Sequence, residues 1–163
     1  NVDFYGKIDK SIRGNPFLFM IICDVSANTW AIPIKSRDAA PAGMKETIEE
    51  IRSKYGTMMD DKIVRTVRSD NEAALRGHQW REMLSGLKVE ESHSVPYTPQ
   101  MNGVVERYMR TMGENLRANM IGVDKRLWCY CAEYISWCWN RIPKRKYGRK
   151  PDDNGSAPTD LRR

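Results

Sequence analysis

At 163 residues, the chain has room for one domain whose core needs no disulfide or metal staple. Its 40% hydrophobic and 29% charged content is that of a soluble globular chain, and no run of about 18 apolar residues exists to span a membrane. The net charge of +6 is uneven: residues 1–106 hold 14 Lys/Arg against 15 Asp/Glu, whereas residues 107–163 hold 13 against 6.

The opening, NVDFYG, has no charged-then-apolar signal pattern and reads as the start of an excised domain. Residues 1–5 form a short first strand, and Gly14-Asn15 favours a chain reversal after it. Residues 17–23 are continuously apolar, as expected of a strand covered on both faces. A third strand, TWAIPI at 29–34, contains Pro33; proline cannot donate to a ladder, so this strand belongs at an edge. Residues 38–55 turn helical, with Met44, Thr47, Ile48, Ile51 and Tyr55 on one stripe and Gly56 as the stop. A fourth strand covers 62–69, and a helix near 75–85 carries Trp80, Met83, Leu84 and Leu87. A short fifth strand is expected at 87–91.

Residues 104–120 give a strong helical pattern, with Val104, Val105, Tyr108, Met112, Leu116 and Met120 on the apolar side. Glu106, Arg110, Glu114 and Arg117 recur on the other side. A last helix covers 125–141, turning Trp128, Ala132, Ile135 and Trp139 inward and ending before Pro143. The Trp128, Trp137 and Trp139 set serves core packing or an interface. The chain thus divides into a core, 1–143, and a basic extension, 144–163, rich in Pro, Gly and charge and expected to be flexible. This order of strands and helices predicts an α/β fold with a five-stranded mixed sheet flanked by helices.

Three carboxylates stand out. Asp3 lies in the first strand, Asp70 closes the fourth, and Glu106, with 35 residues between it and Asp70, stands at the start of a helix. Carboxylates suit hard divalent cations, which take oxygen ligands and keep room for waters and substrate. Each has a plainer alternative: Asp70 as a cap for the next turn, Glu106 as a surface acid favoured by the helix dipole, and Asp3 in competition with Asp9 and Asp24. Cys23, Cys129, Cys131 and Cys138 show neither disulfide-framework nor CxxC spacing and read as buried filler in a reducing, intracellular setting. His78 and His93 lack zinc-binding partners in the sequence.

The words around the acids carry a family resemblance. Asp3, Asp70 and Glu106 resemble the catalytic triad of retroviral-type integrases, and VRSDNE resembles their box at the second aspartate. SVPYTPQMNGVVERYMRTM is similar to the glutamate loop and helix of integrases from copia-type long-terminal-repeat retrotransposons. DFYGKIDKSIRGNPFLFMIICDVSANTWAIPIKSRDAA and LWCYCAEYISWCWNRIP follow the same type's first strands and late helix. The resemblance covers most of residues 1–150.

It implies a ribonuclease-H-like fold with the first and fourth strands side by side, and a polynucleotidyl transferase that trims DNA 3′ ends and joins them to target DNA. Asp3, Asp70 and Glu106 would hold two Mg²⁺ or Mn²⁺ ions. DNA would meet Tyr97, Gln100 and Asn102 in the loop, Arg107 and Arg110 on the helix, and Lys144, Arg145 and Lys146 in the basic run. The block at 141–150, with six basic residues and no acid, suits phosphate backbones and also reads as a solvated tail or a nuclear-import signal. A homodimer and a nuclear location follow from the same resemblance.

One departure counts against activity. The family's usual Asp-Asn-Gly is Asp-Asn-Glu here, so Glu72 is expected either to strain the turn or to offer a spare carboxylate. This motivates an alternative, a decayed or domesticated core that binds DNA or protein without catalysis. A ribonuclease-H-type nuclease is a third reading, opposed by the PYTPQMNGVVER word.

Overall fold

A computed structural model describes residues 1–55, 63–70, 72–93 and 99–143, apart from the side chains of Tyr55, His93 and 99–102. Gly56, Tyr97, Lys144, Arg145, Lys146 and the rest of the extension lie outside the described residues, as do the side chains of Gln100 and Asn102.

Strands β1 (Val2–Tyr5), β2 (Phe17–Ile22) and β3 (Thr29–Ile34) form an antiparallel sheet in that order. Gly14, at φ +79°, donates its N–H to Ser11 in the reversal between β1 and β2. Pro33 does sit on an edge strand, opposite Leu18. Helix α1 (Ala40–Tyr55) follows a 3-10 turn at Arg37–Ala39. Next come β4 (Thr66–Ser69), α2 (His78–Gly86) and β5 (Glu90–His93), with β4 and β5 paired in parallel. Helices α3 (Pro99–Asn119) and α4 (Trp128–Arg141) complete the order.

The apolar run of β2 is explained by two cores. Phe19 and Ile21 face one way, toward Met44 and Ile48 of α1 and Trp80 and Leu84 of α2. Leu18, Met20 and Ile22 face the other, against Val105, Tyr108, Met112 and Leu116 of α3 and Trp128, Ala132 and Ile135 of α4. A sheet sandwiched between helix pairs needs strands apolar on both faces. Each fully buried Leu, Ile, Met or Phe contributes roughly 1.5–3 kcal/mol. The helical stripes read from the sequence are these contacts, though Trp137 stands exposed while Trp128 is buried.

Three boundaries differ from expectation. Helix α3 begins at Pro99, five residues early, because proline's fixed φ suits the first helical position. Strand β4 spans four residues rather than eight, and β5 begins at Glu90 because Leu87 closes α2 with bonds from its N–H to Met83 and Ser85. The five strands exist in the expected order, but hydrogen bonds join them as a three-stranded and a two-stranded sheet, not one continuous ladder. β1 and β4 still pack side by side. Asn1 and Ile22 exchange both main-chain bonds, so alternation leaves the Phe4 N–H on the β4 side. That N–H is taken at 2.6 Å by the Oδ1 atom of Asp3.

Helix α4 is fastened to β3 by a side chain that imitates a neighbouring strand. Asn140 accepts the Thr29 N–H at 2.9 Å and donates its amide to the Thr29 carbonyl at 2.9 Å. Ser136 donates to the same carbonyl at 2.8 Å, inside a buried site. The Asn-Arg-x-Pro step at the end of the helix therefore has a structural use. Replacing Asn140 by Ala leaves the Thr29 N–H unpaired and should lower unfolding free energy by about 1–3 kcal/mol. Urea titration should show a lower midpoint with an unchanged slope.

Candidate active site

Alternation along β1 decides where Asp3 points. Val2 and Phe4 enter the core under α1 and α2, so Asp3 faces α3, as does Tyr5, whose ring lies against Gly113 of that helix. Val67 of β4 joins the α1–α2 core, and Asp70 follows the last residue of that strand, Ser69. Glu106 projects exposed from α3, between buried Val105 and Tyr108. It is the eighth residue of that helix, beyond the first turn where the dipole acts, so it is a surface acid that the helix dipole does not account for.

Electrostatics shows that the acids share one space. Burial pushes the Asp3 carboxyl up to about 6 from its ordinary 3.8. The Phe4 N–H opposes this shift, while the negative charges of Asp70, Glu72 and Glu106 add to it. Asp3 therefore lies in the field of the other two sequence-predicted acids, with Glu72 as a third contributor. They do not close into a cage: among the described residues, no three His, Cys, Asp or Glu side chains stand close enough to hold a metal ion. The donor set is all-carboxylate and self-repelling, a combination that a hard divalent cation would relieve.

Asp70 also performs the turn-closing role foreseen as its alternative, since its Oδ1 accepts the Glu72 N–H at 3.1 Å. Its second oxygen is not used in that bond. Glu72 does not strain the turn: its backbone, φ −63° and ψ 138°, is ordinary extended conformation open to any residue. Its carboxylate pairs with Arg37 from the turn before α1. Burial raises the Glu72 carboxyl, Arg37 lowers it, and Asp70 raises it further. The Arg37 partnership was invisible in the sequence, because 35 residues separate the pair.

Of the rival acids, the Asp24 carboxylate has other partners, and Asp9 is anchored through its main chain. Asp24 accepts from the Asn1 side chain and lies 3.9 Å from Arg68, while the Asp9 carbonyl accepts the Trp128 indole N–H at 2.8 Å. Arg107 and Arg110 are exposed on α3, flanking Glu106. His78 is exposed, 3.5 Å from Glu82. All four cysteines are free, with Cys129 buried and the others half-buried. A groove of about 280 Å³ lies away from the acids, lined by Thr29, Trp30, Ile51, Trp137 and Asn140 among others.

A helix-covered sheet with acids on its first strand, after its fourth and on the helix beyond its fifth is that of a ribonuclease-H-like core of the integrase type. The comparisons agree. The chain is 31% identical over 139 residues, 85% of its length, to the retrovirus-related Pol polyprotein from transposon 412 of Drosophila melanogaster. It is 26% identical over 139 residues, 82% of its length, to that from transposon TNT 1-94 of Nicotiana tabacum. It spans about a tenth of the length of these relatives, 11% and 10% respectively. Among solved structures, the catalytic core domain of BIV integrase superposes with a TM-score of 0.64 at 18% identity, covering 92% of this chain and 88% of that one. No family model matches. The chain belongs with the retrovirus-related Pol polyproteins of transposons, as a segment with the integrase-core fold.

The raised Asp3 carboxyl has a definite pH signature. Its folded value lies above its unfolded one, so folding takes up a proton between about 4 and about 6. Asp3's contribution to stability is complete below the lower value and is lost as pH rises through the upper one. Asp3→Asn should therefore gain stability relative to the parent as pH rises across that window. Carboxyl NMR titration should place the Asp3 inflection near 6 and move it down in Asp70→Asn and Glu106→Gln.

Proposed function

We propose that this chain is the catalytic core of a retroelement integrase of the copia type, acting on DNA as a divalent-metal-dependent polynucleotidyl transferase. The observation that carries the reading is the negative field that Asp70 and Glu106 exert at Asp3, from chain-distant parts of the sequence. Asp3, Asp70 and Glu106 are the residues that would hold two Mg²⁺ or Mn²⁺ ions. Such a pair, when bound, polarises the attacking oxygen and offsets charge on the phosphorus and leaving oxygens.

The remaining roles belong to the chain's own groups. Asp3 gives up its proton on entering the ionised set, and Asp70 keeps one oxygen for the turn while presenting the other. Arg107 and Arg110 meet phosphates beside Glu106. Tyr97, Gln100 and Asn102 contact the DNA ends, and Lys144, Arg145 and Lys146 add sequence-independent grip on the backbone. In end trimming, water attacks the phosphodiester and the 3′ oxygen leaves with a proton. In joining, the freed 3′ hydroxyl attacks a target phosphodiester, whose own 3′ oxygen departs.

The reading includes a nuclear setting and a homodimer. The exposed face of α4, where Tyr134 stacks on Trp137 and Arg141 covers that indole at 3.9 Å, is the surface on which self-association is to be tested. The rival reading, a core that binds DNA or protein without chemistry, draws on the open spacing of the acids.

Purified chain supplied with Mn²⁺ and a branched DNA that mimics the joined product should resolve that product into its parts. Glu106→Gln should reduce this by about 100-fold or more. Unchanged activity in that variant refutes the assigned mechanism, and a chain that binds DNA but neither Mn²⁺ nor Mg²⁺ by calorimetry supports the rival.

A further inference from the structure

We propose that Tyr5, Arg110 and Arg117, gathered around Gly113, form a seat for one backbone phosphate of a bound DNA strand, apart from the carboxylates. The inference rests on the reading of this chain as one that acts on DNA, and it calls on no metal ion.

The seat begins with a glycine. The Tyr5 hydroxyl stands 2.5 Å from the place a Cβ on Gly113 would take, with the ring atoms Cε2 and Cζ at 3.2 Å. Any side chain there would collide with the phenol. Because none exists, the end of β1 meets α3 closely, and the half-buried Tyr5 ring takes up the room. Beside it, Tyr5, Met109, Arg110, Gly113 and Arg117 line a groove of about 220 Å³. One water takes about 30 Å³ of the liquid, so a phosphate group fits with solvent to spare.

Every polar side chain lining that groove can donate, and none is an acid. Arg110 comes three residues before Gly113 and Arg117 four after it, spacings that make neighbours on one helix face. Both arginines are exposed, so their guanidinium groups can converge on one oxyanion, and arginine suits phosphate through paired N–H donors. The Tyr5 hydroxyl adds a donor from the β1 side. Among the described residues, neither arginine makes an ion pair and the Tyr5 hydroxyl makes no hydrogen bond. Glu114, between the two arginines in sequence, pairs with neither.

The stripe also leads back to the acids. Glu106 precedes Arg110 by four residues, so it shares this face of α3, about 10 Å from Gly113 at 1.5 Å per residue. A duplex strand advances about 3.4 Å per nucleotide, which puts the seated phosphate about three nucleotides from one at Glu106.

The test titrates labelled duplex DNA with the whole chain in EDTA across a salt series, reading fluorescence anisotropy. Arg117→Gln should weaken binding about three- to tenfold and lower the slope of log affinity against log salt by about 0.9, the loss of one phosphate contact. Tyr5→Phe keeps the ring and removes the donor; it should weaken binding about two- to fivefold and leave the slope alone. In the double variant the tyrosine change should cost less than it does by itself, because both groups hold one phosphate. Arg81→Gln, which removes an exposed cation on α2 across the sheet, should change affinity by less than about twofold.

Equal effects of Arg117→Gln and Arg81→Gln would make Arg117 one diffuse charge among many and overturn the seat. Tyr5→Phe binding as the parent does, or losses that simply multiply in the double variant, would overturn it too. Circular dichroism checks that each variant is folded. If the parent binds no DNA, the DNA reading fails and takes the seat with it; if the parent binds but these signatures are missing, only the seat fails.

Discussion

Carboxylates on adjoining strands repel, and the apolar packing on both faces of the sheet is what holds Asp3 and Asp70 in company. Phe4 and Phe19 lie with ring centroids 5.3 Å apart, and Phe19 meets Trp80 edge-on at 6.3 Å. That aromatic seam joins β1, β2 and α2 on one face. On the other, β2 rests on α3 through Leu18 and Met20. With Val67 in the first core and Val105 in the second, each element bearing an acid is locked by a buried neighbour of that acid. The cost of burying the Asp3 carboxyl, to which the neighbouring acids add, is set against hydrophobic burial several residues deep.

Much of this was legible in the sequence because it follows from period and composition. The uninterrupted apolar stretch of β2 announced a strand buried on two sides, and Pro33 announced the edge. The α3 stripe from Val105 to Leu116 gave the helix face and left Glu106 outside it. The adjacency of β1 and β4 was not legible from periodicity, since strand order is a long-range property; only the family resemblance implied it. The start of α3 was misplaced because Gly103 and Asn102 look like loop residues, whereas the apolar surface farther along secures the helix.

Glu72 shows where a consensus pattern falls short of geometry. The glycine that the family resemblance leads one to expect there invites the inference of a left-handed backbone, yet the angles here are open to any residue. What singles out the position is electrostatic, and its partner sits 35 residues earlier. Asp70 likewise unites two roles that looked exclusive, the turn cap and the member of the acidic set.

The Asn140 clamp has a consequence for how this chain meets others. An open sheet edge offers unpaired main-chain groups to any passing strand, a template for aggregation. In β3 the amide of Asn140 occupies the donor and acceptor of Thr29, and Pro33 removes a donor farther along. A foreign strand seeking to extend the sheet there would find one end already bonded and the other unable to donate, so the border of the fold is closed to it by a single side chain and a ring.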